Sequence, residues 1–73
     1  MKLKNNTHYW ALGVVPTMQL IVVLYTTDGV NEEFYTAGPD EIIWYNKDNL
    51  IILDSIFPPK GHEETPLYYG DYI

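Results

Sequence analysis

The chain has no cysteine and no arginine, a single serine and only two histidines in 73 residues. Without cysteine there are no disulfide staples, thiolate zinc sites or cysteine nucleophiles. A secreted domain of this size normally carries disulfide bridges, so their absence points to a reducing cytoplasm. Without arginine the chain lacks the usual residue for gripping phosphate, and direct binding to DNA or RNA is not expected. The one serine, Ser55 in Leu53-Asp54-Ser55-Ile56, has no Gly-x-Ser-x-Gly elbow around it. His8 and His62 lie far apart in the sequence, and no His-Glu-x-x-His pattern occurs. The longest apolar run, Leu20 to Tyr25, is far short of the roughly 20 residues that span a bilayer. Met1-Lys2-Leu3-Lys4 is followed by polar residues, so no secretory leader is expected.

What is present is acid and aromatic. The formal net charge is −6. Lys2 and Lys4 nearly balance Asp28, Glu32 and Glu33 in the first half. Lys47 and Lys60 are outnumbered by Asp40, Glu41, Asp48, Asp54, Glu63, Glu64 and Asp71 in the second. A surface of this sign steers toward basic partners. Six of the ten acids fall in adjacent pairs, Glu32/Glu33, Asp40/Glu41 and Glu63/Glu64. Neighbours on a strand face opposite ways, so none of these pairs makes the convergent dyad that acid–base catalysis requires. No catalytic residue, cofactor or metal is expected. The chain carries seven Tyr and two Trp. These residues bury large areas at low entropic cost and keep a polar handle, which concentrates them at interfaces. Trp10, Tyr25, Trp44 and Tyr45 equally suit a core in a protein with only two Phe.

The length allows one domain with a thin core. The pattern predicts a mainly β fold, or a small α+β one, with an antiparallel sheet of three to five strands. Residues 1–57 form the domain and 58–73 a flexible acidic, aromatic tail. Residues 1–7 are polar and expected to fray. Tyr9 to Val15 reads as a strand ended by Pro16. Met18 to Thr27 is charge-free and rich in β-branched residues, as in a central strand buried on both faces. Asp28-Gly29 predicts a tight hairpin to a return strand over Val30 to Thr36. Pro39-Asp40-Glu41 supports a short helix at 39–47, while Glu41 to Tyr45 also reads as a strand. Leu50 to Ile56 reads as a strand, and Pro58-Pro59 ends the repeating structure. The expected core is Leu20, Val22, Leu24, Ile43, Ile51 and Leu53, with Trp44 partly buried. In the tail, Tyr68, Tyr69 and Tyr72 either dock over the sheet edge, meet a partner or stay disordered.

A short acidic chain with no cysteine, no catalytic constellation and a heavy aromatic load resembles the small phage-encoded transcription regulators that bind bacterial RNA polymerase. The resemblance implies a protein of the host cytoplasm that binds the N-terminal region of the β′ subunit and contacts β. It further implies weakened σ binding, inhibited initiation and read-through of terminators. The aromatic and acidic residues in edge-like or turn-like segments, Tyr9, Trp10, Glu32, Glu33, Asp40 and Glu41, are the expected partner contacts. Two other readings fit the composition: an acidic DNA mimic that blocks a defence protein, and an accessory subunit of an assembly.

Overall fold

A computed structural model describes residues 2–14, 18–38 and 40–67. Thr7–Gly13 (β1), Gln19–Thr27 (β2), Glu32–Ala37 (β3), Ile42–Tyr45 (β4) and Leu50–Ile56 (β5) form one antiparallel sheet in the order β4-β3-β2-β1-β5. Of the two readings of residues 39–47, the strand is the one that forms. The only helical element among the described residues is a single 3-10 turn at Lys47–Asn49, whose start is capped by Asn46 Oδ1 accepting from Asp48 N (2.9 Å).

That turn forces the sheet to roll. It joins β4 to β5, which stand at opposite edges. In a flat sheet those edges would lie about 19 Å apart, four strand spacings of about 4.8 Å. Residues 46–49 cannot cover that span when three of them rise only about 2 Å each. The strands therefore curl into a partly closed barrel. Val14 N donates to Asn49 O (2.9 Å) and pins the linker against the end of β1. Inside, Tyr45 reaches across to β1, so a Cβ added at Gly13 would stand 3.1 Å from its ring.

Strand register assigns the two faces. On the inner face Tyr25 lies between Thr7 and Phe34, Val23 beside Tyr9, and Ile21 beside Ala11. Tyr9, Ala11, Ile21, Val23, Tyr25 and Phe34 are the buried core, with Leu3, Tyr45, Leu50 and Ile52 packed against it. The expected core was one residue out of step on two strands. Leu20 is 38% exposed, and Ile51 and Leu53 are half-exposed. Their neighbours Ile21 and Ile52 point inward instead. A one-residue slip exchanges the two faces of a strand, so the parity decides which side chains are core. Val22 and Leu24 are buried as expected, but on the outer face. Ile43 is half-buried, and Trp44 is mostly exposed.

Two ends are tied down that the sequence left loose. Near the N-terminus, Asn5 Oδ1 accepts from Thr27 N (2.9 Å), Lys4 N donates to the Tyr9 hydroxyl (2.9 Å), and Leu3 packs on the core. Beyond β5, the chain turns back and Leu67 is buried. Pro58 to Leu67 is thus a docked strap, while Tyr68, Tyr69 and Tyr72 lie outside the described residues.

The β2–β3 hairpin forms, with a four-residue loop at 28–31 in place of the two-residue turn expected. Asp28 explains the longer loop: its Oδ1 accepts from both Val30 N (2.9 Å) and Asn31 N (2.7 Å). Gly29 sits at φ +97° with open space around its Cα. The conformation alone demands glycine there, so Gly29→Ala is expected to cost about 1–2 kcal/mol. Thermal unfolding followed by circular dichroism checks this, with a drop of roughly 4–8 °C per kcal/mol in a domain of this size.

Candidate partner-binding surface

The sheet's outer face is where exposed apolar side chains gather. Paired residues share a face, so one row runs Trp44, Tyr35, Leu24, His8, Ile56 from β4 to β5. Another combines Leu20, Leu12 and Ile51. The middle is covered by the strap and the two flanks are open. On the β4 flank Trp44 is 55% and Ile42 63% exposed. On the β5 flank Leu20 and Ile51 are exposed, next to Leu53, the unpaired residue at a β-bulge opposite Trp10 and Ala11. Met18 adds to this end. Contiguous exposed apolar area rimmed by polar groups marks an interaction surface in a soluble protein.

The rim is acidic. Asp40 and Glu41 are exposed in the loop leading into β4, where Gly38 N donates to Glu41 O (2.7 Å). Glu33 is two residues before Tyr35 on the outer face and accepts the Tyr35 hydroxyl. That bond, with burial second, raises the Tyr35 pKa above its ordinary value and keeps the phenol protonated.

The expected contact residues divide between the faces. Glu33, Asp40 and Glu41 border the β4 flank, and Trp10 is half-buried on the outer face. Tyr9 is corrected: it is a core residue whose ring is buried and whose hydroxyl is taken by Lys4 N. Glu32 faces inward at the rim of the barrel, where it accepts from the Tyr25 hydroxyl (2.6 Å) and pairs with Lys47 (3.1 Å). Its role is to hold β2, β3 and the 3-10 turn together. Sequence reasoning missed Ile42 and Trp44 as the centre of the flank. An apolar four-residue strand looks the same in sequence whether it is central or, as here, at an edge.

Glu32 and Asp28 make the fold sensitive to acid. The Tyr25 hydroxyl, then Lys47, holds the Glu32 carboxyl below its ordinary value of 4.5. The amides of Asn31 and Val30 hold Asp28 below its ordinary value of 3.8. A depressed folded-state pKa contributes stability that is present above the unfolded value and lost as pH falls through the folded one. The melting temperature is therefore expected to hold from pH 7 to about 5 and to fall below about 4.5, as the unfolded chain takes up protons first at Glu32 and then, below about 3.8, at Asp28 while the folded protein still resists them. In Glu32→Gln that acid-side fall should be shallower; an unchanged slope would remove Glu32 from the account.

Among the described residues no three His, Asp or Glu side chains gather as metal ligands. A cleft of about 500 Å³ lies at the end of β1, lined by Lys2, Lys4, His8, Asp54, Phe57 and Glu63 among others. It brings charges of both signs beside an exposed phenylalanine. No helix among the described residues is long and apolar enough to cross a membrane. No protein-family model matches the chain, and neither a curated protein nor a solved structure matches it.

Proposed function

We propose that this protein acts by contact rather than catalysis, docking the outer face of its barrel on bacterial RNA polymerase and weakening the hold of σ on the core enzyme. The observation that carries the contact reading is the β4 flank: Trp44 and Ile42 open to solvent beside Tyr35, with Glu33, Asp40 and Glu41 around them. An exposed tryptophan in an apolar centre with a charged rim is the usual anatomy of a protein-binding patch. The choice of polymerase rests on the chain's resemblance to small phage regulators. The partner segment would be the N-terminal region of β′, with a further contact on β. A short segment that is partly basic and partly apolar suits this patch. The acidic rim would speed encounter and the apolar centre would slow release. Such a regulator acts in the host cytoplasm and extends to read-through of terminators.

Displacing σ follows from linkage. A ligand that prefers the σ-free core weakens σ by the factor that σ weakens the ligand. The test is a fluorescence titration of purified core polymerase with labelled protein, with and without saturating σ. Saturable binding to the core, weakened by σ and matched by an equal loss of σ affinity, is the expected result. Equal affinity for core and holoenzyme would sink the σ mechanism, and no binding to either would sink the choice of polymerase. Capture from a bacterial lysate of a nuclease or glycosylase that salt releases would support the DNA-mimic reading instead.

A further inference from the structure

We propose that the notch between β2 and β3 on the outer face is a peptide-binding groove, filled in the free protein by the chain's own Thr65-Pro66-Leu67 and open to an extended leucine-bearing peptide that displaces it. This is independent of which protein the exposed flanks meet.

The notch arises because two strands part company. β2 and β3 pair only from Leu24–Tyr35 to Thr27–Glu32. Past Tyr35, β3 continues on its β4 side through Thr36 and Ala37. Its side toward β2 is left with donors, and the strap meets them. Ala37 N and Thr36 Oγ1 both donate to Leu67 O (3.3 Å each). Two residues earlier, Thr65 O accepts from His8 Nε2 (2.8 Å), which fixes the proton on that nitrogen. Leu67 is buried, as are His8, Val22 and Leu24, which lie on the outer face of the sheet. An extended backbone offering carbonyls at i and i+2 with an apolar side chain at the second is how a strand-like peptide is read at a sheet edge.

Two features say that the strap fills this groove without fully satisfying it. His8 is 1% exposed, yet its Nδ1 has no hydrogen-bond partner among the described residues. With the proton on Nε2, that atom is an acceptor that no described residue supplies with a donor. Buried acceptors are normally paired, so a peptide carrying an N–H or O–H to Nδ1 gains a bond the strap does not make. The strap's two bonds to β3 are also longer than the usual 2.9–3.0 Å. Before Thr65 it is exposed from Pro59 onward and held mainly by its own turns, His62 N to Pro59 O (3.0 Å) and Thr65 N to His62 O (3.3 Å). The occupant is therefore an extended segment with backbone carbonyls two residues apart, a leucine-sized side chain at the second and an added donor for His8.

The experiment uses the full-length chain and a fluorescent synthetic peptide copying residues 60–67. A filled groove lowers apparent affinity by the fraction of molecules in which it is open. Wild type should bind the peptide at least about tenfold more weakly than Leu67→Ser, which loses the anchor of the strap and leaves the groove intact. Binding to Leu67→Ser should shift the amide resonance of Ala37 and the ring resonances of His8, and a peptide with Ser in place of its leucine should not compete. Pro66→Gly loosens the strap, chiefly through backbone entropy and also by removing a half-buried ring, and serves if Leu67→Ser does not fold. Equal affinity for wild type and the loosened variant, no binding to a folded variant, or shifts confined to the cleft at Lys2 and Phe57 would each overturn the proposal.

Discussion

Phe34→Ala is expected to leave the protein largely unfolded at room temperature. Phe34 is 1% exposed, on the strand that couples the outer half of the sheet to β2. Its ring stands 5.1 Å from that of Tyr25, tilted by 44°. Truncating a buried phenylalanine costs about 3–5 kcal/mol, partly through the cavity left behind. The aromatic pair adds about 0.5–1.5 kcal/mol beyond its area. A chain of this length has a total stability of only about 4–11 kcal/mol. No disulfide makes up the difference, since the chain has no cysteine, and the one inner core has no second layer behind it to collapse into the hole. Urea titration by tyrosine and tryptophan fluorescence measures the loss. The paired control is Leu20→Ala against Ile21→Ala. Leu20 lies half in solvent and should cost below about 1 kcal/mol, while Ile21 should cost about 2–5 kcal/mol. A larger loss at Leu20 would mean that β2 presents its other face to the core.

That control bears on what a sequence can reveal. The β character, the position of the central strand and the bounds of Leu50–Ile56 are all legible. They rest on β-branched runs and on Gly, Pro and Asn punctuation, which act within a few residues. The parity of β2 is not legible. Leu20 through Tyr25 is apolar at every position, so there is no alternation to mark an inner side. Two non-local events choose it. The four-residue link between β4 and β5 rolls the sheet toward Ile21, Val23 and Tyr25, and the strap returns to the outer face, where Thr65 O meets His8, the strand partner of Leu24. Neither is coded near β2.

The candidate surface divides the same way. An acidic rim could be read from Asp40 and Glu41, because charge in turns stays in water wherever the chain goes, and from Glu33, whose charge keeps its face of β3 partly in solvent. Tyr9 could not be placed, since a tyrosine at the start of a strand serves a core or an interface equally well. Leu67 left no signal at all. Thr65-Pro66-Leu67 has no strand period, and a proline beside it argues for loop. Its burial comes from a notch on strands 30 residues earlier, where β2 and β3 separate.

Trp44→Ala should separate binding from folding. Trp44 projects from an edge strand with more than half of its surface in water, so removing it withdraws little from the core. Its stability cost should stay near the ±0.5 kcal/mol typical of surface changes. At the centre of a docked patch the same truncation should cost about 2 kcal/mol or more in binding. That corresponds to roughly a 30-fold weaker Kd for core RNA polymerase. Ile42→Ala should move the same way by less, because an aliphatic side chain brings less area and no polar handle. Neutralising Asp40 and Glu41 together should act differently: it should slow association and flatten its dependence on ionic strength, with dissociation little changed. The two signatures are independent, one in the off-rate and one in the salt slope of the on-rate, so stopped-flow association at two salt concentrations reads both. Should Trp44→Ala bind as tightly as wild type while the Asp40/Glu41 variant fails, attraction between opposite charges would be the main term. The apolar β4 flank would then be a bystander, and a mimic of nucleic-acid charge would become the better description of the protein.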